Sequence, residues 1–130
     1  MSKEWSKEVF SRNLRRYMSV ANINQKDMAD IVGVSAPTFN AYYNGEIFPR
    51  IDKIQKMADY FGIVKSDLIE DKSFSEAVNE KNNNAMADVV IRMKIDKKYL
   101  ELVVELQKMD STHLDGILSM VKSFTDNSKN

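Results

Sequence analysis

The stretch that decides the fold lies at residues 24–45 and reads NQKDMADIVGVSAPTFNAYYNG. Asn24 is a helix-capping residue type, and the apolar residues that follow it recur at helical spacing. Gly33 suits the positive φ at which a helix ends sharply. Ser35 can cap a second helix, and Pro37 in that helix's first turn loses no hydrogen bond. The stretch therefore predicts two short helices joined by a tight turn.

This layout is that of a helix-turn-helix, whose second helix can enter the major groove of DNA. Hydrophobic spacing on both sides predicts five helices in the first seventy residues, over about 6–20, 25–32, 36–44, 51–61 and 65–69. The side chains expected inside this domain recur at helical spacing: Phe10, Leu14, Tyr17, Met18, Ala21, Met28, Ala29, Ile31, Val32, Phe39, Tyr42, Ile51, Ile54, Met57, Ala58 and Phe61.

The second half of the chain is expected to form a linker and a helical hairpin. The linker is polar and includes the run Asn82-Asn83-Asn84, with a helix fragment at 74–78 as an option. Apolar residues alternate over 89–95, so a strand remains an alternative to the helix that we favour there. The fold class is therefore all-α, with a helix-turn-helix domain over 1–70, a linker over 71–85, a helical dimerisation region over 86–125 and a disordered tail over 126–130.

Composition excludes several classes of function. The 130 residues contain 19 basic and 19 acidic side chains, so any contact with nucleic acid depends on a local patch. The first 65 residues contain ten Lys or Arg and seven Asp or Glu, which favours the N-terminal domain for that contact. The absence of cysteine removes disulfides, thiolate zinc sites and cysteine catalysis, and fits a cytoplasmic location. The sequence has no signal-peptide core and no membrane-spanning apolar run, so we expect no membrane association.

The third helix is expected to present a small, polar face. Pro37, Asn40, Ala41 and Asn44 are spaced i, i+3, i+4 and i+7, opposite the apolar side. An asparagine such as Asn40 can bond an adenine edge through two hydrogen bonds, and Thr38 can bond a base or contact a thymine methyl. The alternative is that this face is simply a solvated helix surface.

Phosphate contacts are expected around this helix. The Gln25 amide and the N-terminal N–H groups of the second helix can bond phosphate oxygens. Arg50 and Lys53 follow the third helix, and the Arg50 guanidinium matches phosphate geometry. Arg12, Arg15 and Arg16 form either a phosphate-binding stripe or an ordinary solvated helix face. The candidate DNA-binding residues are Gln25, Ser35, Ala36, Pro37, Thr38, Asn40, Ala41, Tyr43, Asn44, Arg50 and Lys53.

A spaced set of residues over about 8–70 resembles the Cro/repressor-type helix-turn-helix domain, also called the XRE family. The matching residues are Gln25, Ala29, Gly33-Val34-Ser35, Phe39, Tyr42, Asn44-Gly45, Pro49, Ala58, Phe61-Gly62-Ile63 and Leu68. The resemblance implies a five-helix DNA-binding domain that acts as a dimer on an operator with two half-sites. It also implies that Gln25, Ala36, Pro37, Thr38, Asn40 and Asn44 face DNA.

Two positions depart from the family pattern. Ala36 and Pro37 stand where relatives often have polar base-reading side chains, which shifts the expected readout towards Thr38 and Asn40. Val64 stands where Ser or Thr often caps the last helix of the domain, so fraying is expected there.

The C-terminal helices carry more apolar residues than a 40-residue hairpin can bury by itself. The excess predicts pairing with a second copy or docking on another protein, whereas the alternative is that the hairpin folds back on the first seventy residues. The candidate dimerisation residues are Leu102, Val103, Leu106, Leu114, Ile117, Leu118, Val121 and Phe124.

These observations predict a sequence-specific regulator, a repressor that binds double-stranded DNA as a homodimer through its third helix. An antitoxin-type regulator, whose C-terminal helices bind a partner protein, is the alternative, and an adaptor that has lost DNA binding is a second rival. An antirepressor or other regulatory protein is a further candidate partner. No Walker motif, dinucleotide fingerprint or paired carboxylates occur, and His113 is the only histidine, so no enzyme, metal or cofactor is expected.

Overall fold

The structure, a computed structural model, describes residues 5–71 and 80–127, with side chains described for 5–71 and 85–126. These residues form helices and no strand, as the sequence predicts. The helices are α1 (Lys7–Ala21), α2 (Gln25–Val32), α3 (Ala36–Tyr43), α4 (Ile51–Phe61), α5 (Lys65–Ile69), α6 (Glu80–Ile95), α7 (Lys97–Leu106) and α8 (Ser111–Asn127). None of the helices in the described ranges combines the length and the hydropathy that crossing a membrane requires.

The predicted caps of the helix-turn-helix are confirmed. Asn24 Oδ1 accepts a hydrogen bond from the Asp27 N–H at 2.8 Å, and Ser35 Oγ accepts from the Thr38 N–H at 3.3 Å. Gly33 ends α2 with φ at 80°, which a residue with a side chain adopts only at a cost. These local contacts fix where α2 stops and where α3 begins.

Met1–Asp96 form the first of two compact units, and its core lies among α1 to α6. Most side chains predicted inside are buried there, including Phe10, Leu14, Met28 and Phe39. Leu68 of α5 is also buried, although Val64 provides no side-chain cap for that helix. The Val64 backbone N–H instead donates to Oδ2 of Asp67, a residue in the first turn of α5, at 3.4 Å.

Two side chains predicted inside the core are exposed, and that part of the prediction is wrong. Ile31 is 40% exposed because Met28, Ala29 and Val32 define the buried side of α2, and Ile31 lies beyond its edge. Ile51 is 49% exposed because it is the first residue of α4, where no preceding turn of helix covers it. Ala21, at the last position of α1, is half-buried rather than buried.

Helix α6 differs most from the sequence expectation. It begins at Glu80, inside the stretch expected to be a linker, and residues 89–95 are helical rather than a strand. Ile91 is buried in the core of the first unit, with Ile95 packed against that core, so the boundary between the units follows Asp96. The physical reason is that α6 packs against α1 with these two isoleucines. The helix fragment expected at 74–78 lies outside the described residues.

The second unit, Lys97–Asn130, contains α7 and α8 joined by a short connection, which is the expected helical hairpin. Asp110 caps α8, because its Oδ1 accepts from the His113 N–H at 2.9 Å and lies 2.8 Å from His113 Nδ1. Asp126 and Asn127 belong to α8, so the helix enters the stretch expected to be a disordered tail; residues 128–130 lie outside the described part. None of the described side chains of α7 and α8 is buried.

Candidate nucleic-acid interface

Two aromatic side chains hold α3 on the domain. Phe39 is fully buried and Tyr42 nearly so, and their rings meet edge to face with centroids 6.1 Å apart. Burial raises the pKa of the Tyr42 hydroxyl, and the negative charge of Asp52 raises it further, so the hydroxyl is neutral at physiological pH. Because this side of α3 is anchored, the opposite side is fixed in orientation.

The opposite side of α3 is small and open to solvent. Ala36, Pro37, Asn40 and Asn44 are exposed along it, and Thr38 and Ala41 are half-buried. No side chain on this face is larger than an asparagine amide. A helix of this profile can approach another surface closely, and the major groove is wide enough to admit it.

A chain of side-chain amides connects α2 with α3 on this face. Asn40 Nδ2 donates to Gln25 Oε1 at 3.1 Å, and Asn44 Nδ2 donates to Asn40 Oδ1 at 2.9 Å. A primary amide has two hydrogens on nitrogen and two lone pairs on oxygen. Asn40 therefore keeps one donor and one acceptor position, which is the pair that an adenine edge requires.

This contact across 15 positions of sequence is the feature that sequence reasoning missed, because it treated the three residues separately. The sequence indicates Gln25, Asn40 and Asn44 each as a candidate, but nothing in their spacing pairs the first residue of α2 with the middle of α3. Only the packing of α2 against α3 brings the two amides together.

Ser35 and Thr38 form a closed pair at the start of α3. Ser35 Oγ donates to Thr38 Oγ1 at 2.9 Å while accepting from the Thr38 N–H. The Ser35 hydroxyl is therefore occupied in capping the helix. Thr38 retains its own hydroxyl hydrogen and its methyl group for contact with a ligand.

Tyr43 lies on the α1 side of the interface. Its carbonyl oxygen accepts a hydrogen bond from Ser11 Oγ, and the Arg15 guanidinium carbon lies 5.8 Å from the centroid of its ring. The Tyr43 side chain is half-buried by these neighbours. The structure thus places it at the flank of the small face rather than among Asn40 and Asn44.

Arg50 and Lys53 lie at the start of α4. Arg50 occupies the N-cap position and is exposed, whereas Lys53 is half-buried and its Nζ is 3.9 Å from Asp52 Oδ2. No hydrogen bond within the described ranges joins either residue to the amide chain. Arg50 and Lys53 therefore place two basic side chains after α3, apart from the amide chain.

Residues 13–73 match the family model of the Cro/C1-type HTH DNA-binding domain. The chain is 24% identical over 103 residues to the cryptic phage CTXphi transcriptional repressor RstR of Vibrio cholerae, covering 79% of this chain and 91% of that protein. It is also 43% identical to the SOS-response transcriptional repressor LexA from Eubacterium rectale, whose solution structure covers 62% of this chain. That match spans 87% of the solved chain with a TM-score of 0.51. The chain belongs to the Cro/C1-type helix-turn-helix family of DNA-binding transcriptional regulators.

Proposed function

We propose that this regulator is a repressor that binds a two-fold operator as a homodimer, with α3 of each copy in the major groove of one half-site. The observation that carries the proposal is the amide chain of Gln25, Asn40 and Asn44, in which Asn40 and Asn44 are exposed on an otherwise small helix face and Gln25 is half-buried. The similarity to RstR, a phage transcriptional repressor by name, supports repression rather than activation.

Base reading is assigned to Asn40 and Thr38. The remaining donor and acceptor of the Asn40 amide pair with N7 and N6 of adenine, a contact worth about 1–3 kcal/mol of discrimination. The Thr38 methyl and the small side chains of Ala36, Pro37 and Ala41 leave room for thymine methyl groups. An A·T-containing half-site is the consequence.

Contacts with the DNA backbone are assigned to residues at the two ends of the interface. Gln25 is the first residue of α2, and the start of a helix also offers backbone N–H groups to an anion such as phosphate. Arg50 and Lys53 contribute positive charge at the start of α4. These groups set the register of α3 on the duplex without reading its sequence.

Dimerisation is assigned to α7 and α8. All eight candidate residues on these helices are exposed or half-buried, with Leu118 51% and Phe124 67% exposed. The exposed apolar set also includes Leu100, Val104 and Met120. Burying such side chains against a second copy gains about 25 cal/mol per Å² of apolar surface. A homodimer also matches an operator whose half-sites lie about 34 Å apart, one turn of DNA.

The experiment that tests the proposal is selection of bound duplexes from random DNA, read by sequencing. We expect an inverted repeat whose half-sites contain A·T pairs and are centred about 10 base pairs apart, or a multiple of that spacing. Failure to enrich any sequence would overturn the proposal. A promoter fusion carrying the selected site then tests repression, which should follow from occupancy of a site that overlaps the promoter.

The alternative assignment for α7 and α8 is a different protein partner, as in an antitoxin-type regulator. Sedimentation of the purified full chain separates the two, because a homodimer forms without any addition. A chain that stays monomeric at micromolar concentration, and that co-purifies with a stoichiometric partner, would favour the alternative.

A further inference from the structure

A basic groove lies beside the proposed DNA face, within the first unit. It has a volume of about 430 Å³ and is lined by Arg12, Arg15, Arg16, Ser19, Tyr43 and Asp88. The first four residues come from α1, Tyr43 from the end of α3 and Asp88 from α6. Among the described residues that line the groove, three are arginines and one, Asp88, is acidic. Its three arginines are those that the sequence presents as either a phosphate-binding stripe or a solvated helix face, and the proposed base and phosphate contacts do not include them.

Neighbouring groups hold two of the arginines in place. Arg12 Nη2 pairs with Asp71 Oδ1 at 2.8 Å, which fixes one end of its guanidinium. Arg15 lies over the Tyr43 ring, an arrangement in which the aromatic face favours the cation. Among residues 5–71 and 85–126, no carboxylate forms an ion pair with Arg15. Its fork of N–H donors is therefore available to an external anion.

Tyr43 links this groove to the amide chain. Its ring contacts Arg15 on one side, while its chain neighbour Asn44 bonds Asn40 on the other. Ser11 of α1 bonds the Tyr43 carbonyl, so α1 and the end of α3 are tied together. The groove thus shares Tyr43 with the end of α3, next to Asn44 of the proposed DNA face.

We propose that this groove binds the phosphodiester backbone flanking each half-site, with Arg15 as its principal anion contact. The inference rests on the proposed function, since it needs a duplex on α3. Arginine binds phosphate through two parallel hydrogen bonds, and the exposed Ser19 hydroxyl lies in the same groove as a further donor. Asp88 opposes the phosphate by charge repulsion and so limits affinity for DNA of any sequence.

The test is the salt dependence of binding to the selected operator, measured by fluorescence anisotropy with several base pairs of flanking duplex. Each phosphate contact contributes a slope of about −0.9 in the logarithm of affinity against the logarithm of salt. Arg15→Gln should make this slope shallower by about 0.9 for each bound copy. Relative to the parent, the variant should therefore lose about eightfold more affinity per copy at 0.1 M salt than at 1 M salt. Asp88→Asn should tighten binding. Neither change should alter the preferred half-site.

Arg92→Gln is the matched control, because it removes the same charge from α6 at a position that does not line the groove. Trimming the flanking duplex should abolish the difference between Arg15→Gln and the parent. If the parent binds the operator but Arg15→Gln behaves like Arg92→Gln, the groove proposal is overturned while the α3 proposal stands; an acidic protein segment would then be the better occupant. If the parent binds no DNA, both proposals fail.

Discussion

Lys94 of α6 reaches across 27 positions of sequence to Asp67 of α5, with Nζ and Oδ1 2.7 Å apart. The Asp67 side chain is only 8% exposed, and its other oxygen lies 3.4 Å from the Val64 N–H. The Asp67 carboxylate therefore bonds the N-cap residue of α5 and also links α5 to α6.

We expect Asp67→Ala to destabilise the first unit more than Lys94→Ala. Removing the carboxylate loses its contacts with Lys94 and with the Val64 N–H together, and a hydrogen bond of this kind contributes about 0.5–1.5 kcal/mol. Removing the half-exposed Lys94 leaves Asp67 with its backbone contact, so the cost is smaller. Urea unfolding monitored by circular dichroism measures both. If neither variant loses measurable free energy of unfolding, the ion pair does not stabilise the first unit.

Gly45 occupies a position where both conformation and space favour glycine. Its φ is 75°, and a Cβ built on it lies 3.3 Å from the Ser11 Cβ. Gly62 has φ at 72°, but a Cβ there meets nothing within 4 Å. Both alanine variants incur the left-handed strain of about 1–2 kcal/mol, and only Gly45→Ala adds crowding.

The free energy of unfolding of Gly45→Ala should therefore fall further than that of Gly62→Ala. Gly45→Ala should also weaken operator binding, because displacing Ser11 disturbs its bond to Tyr43 at the end of α3. Equal losses of stability in the two variants would mean that the contact with Ser11 relaxes without cost.

Much of the first unit could be predicted from sequence because its signals are local. Caps at Asn24 and Ser35 and glycines after helices act within a few residues, so both ends of α2, the start of α3 and the end of α4 follow directly. Ile31 shows the limit of this reasoning, because hydrophobicity alone does not say which edge of a short helix faces the core. The neighbours that bury a residue are set by tertiary packing.

Helix α6 and the amide chain show what local signals cannot provide. The run of asparagines at 82–84 favours a linker by composition, yet α6 spans it because Ile91 finds a place in the core of the first unit. Gln25 and Asn40 likewise look independent until the packing of α2 on α3 joins them.

Asn40→Ala should relax sequence preference. The parent gains about 1–3 kcal/mol from a bidentate contact with adenine. The variant should therefore bind the selected half-site, and half-sites in which that adenine is replaced by another base, with similar affinity. Gln25→Ala should produce a smaller loss of discrimination, because it removes a partner that orients the Asn40 amide. Competition with point-substituted duplexes measures the discrimination. An unchanged ranking of duplexes in Asn40→Ala would place base readout elsewhere on α3.

Arg50→Ala should weaken binding to all duplexes alike. Arg50 is exposed at the start of α4, where a phosphate contact contributes affinity without sequence information. The salt dependence should become shallower by about 0.9 per copy, with the ranking of half-sites unchanged. A variant that changes the ranking would instead assign Arg50 to a base edge. Glu46→Ala, which leaves the basic groups intact in the loop after α3, is the comparison in the same assay.

Leu118→Glu should dissociate the proposed homodimer. Leu118 lies with Leu114 and Val121 on one face of α8, and all three are exposed. Burial of a leucine is worth about 1.5–3 kcal/mol, and a two-fold interface counts each residue twice, so the dimer dissociation constant should rise at least about 100-fold. Ser123→Glu adds the same charge on the opposite side of α8, and sedimentation equilibrium should find it dimeric. Since each monomer still carries an intact α3, Leu118→Glu should retain weak binding to a single half-site while losing the advantage of the inverted repeat. If it remains dimeric with parental affinity, the two-fold interface does not include this face of α8.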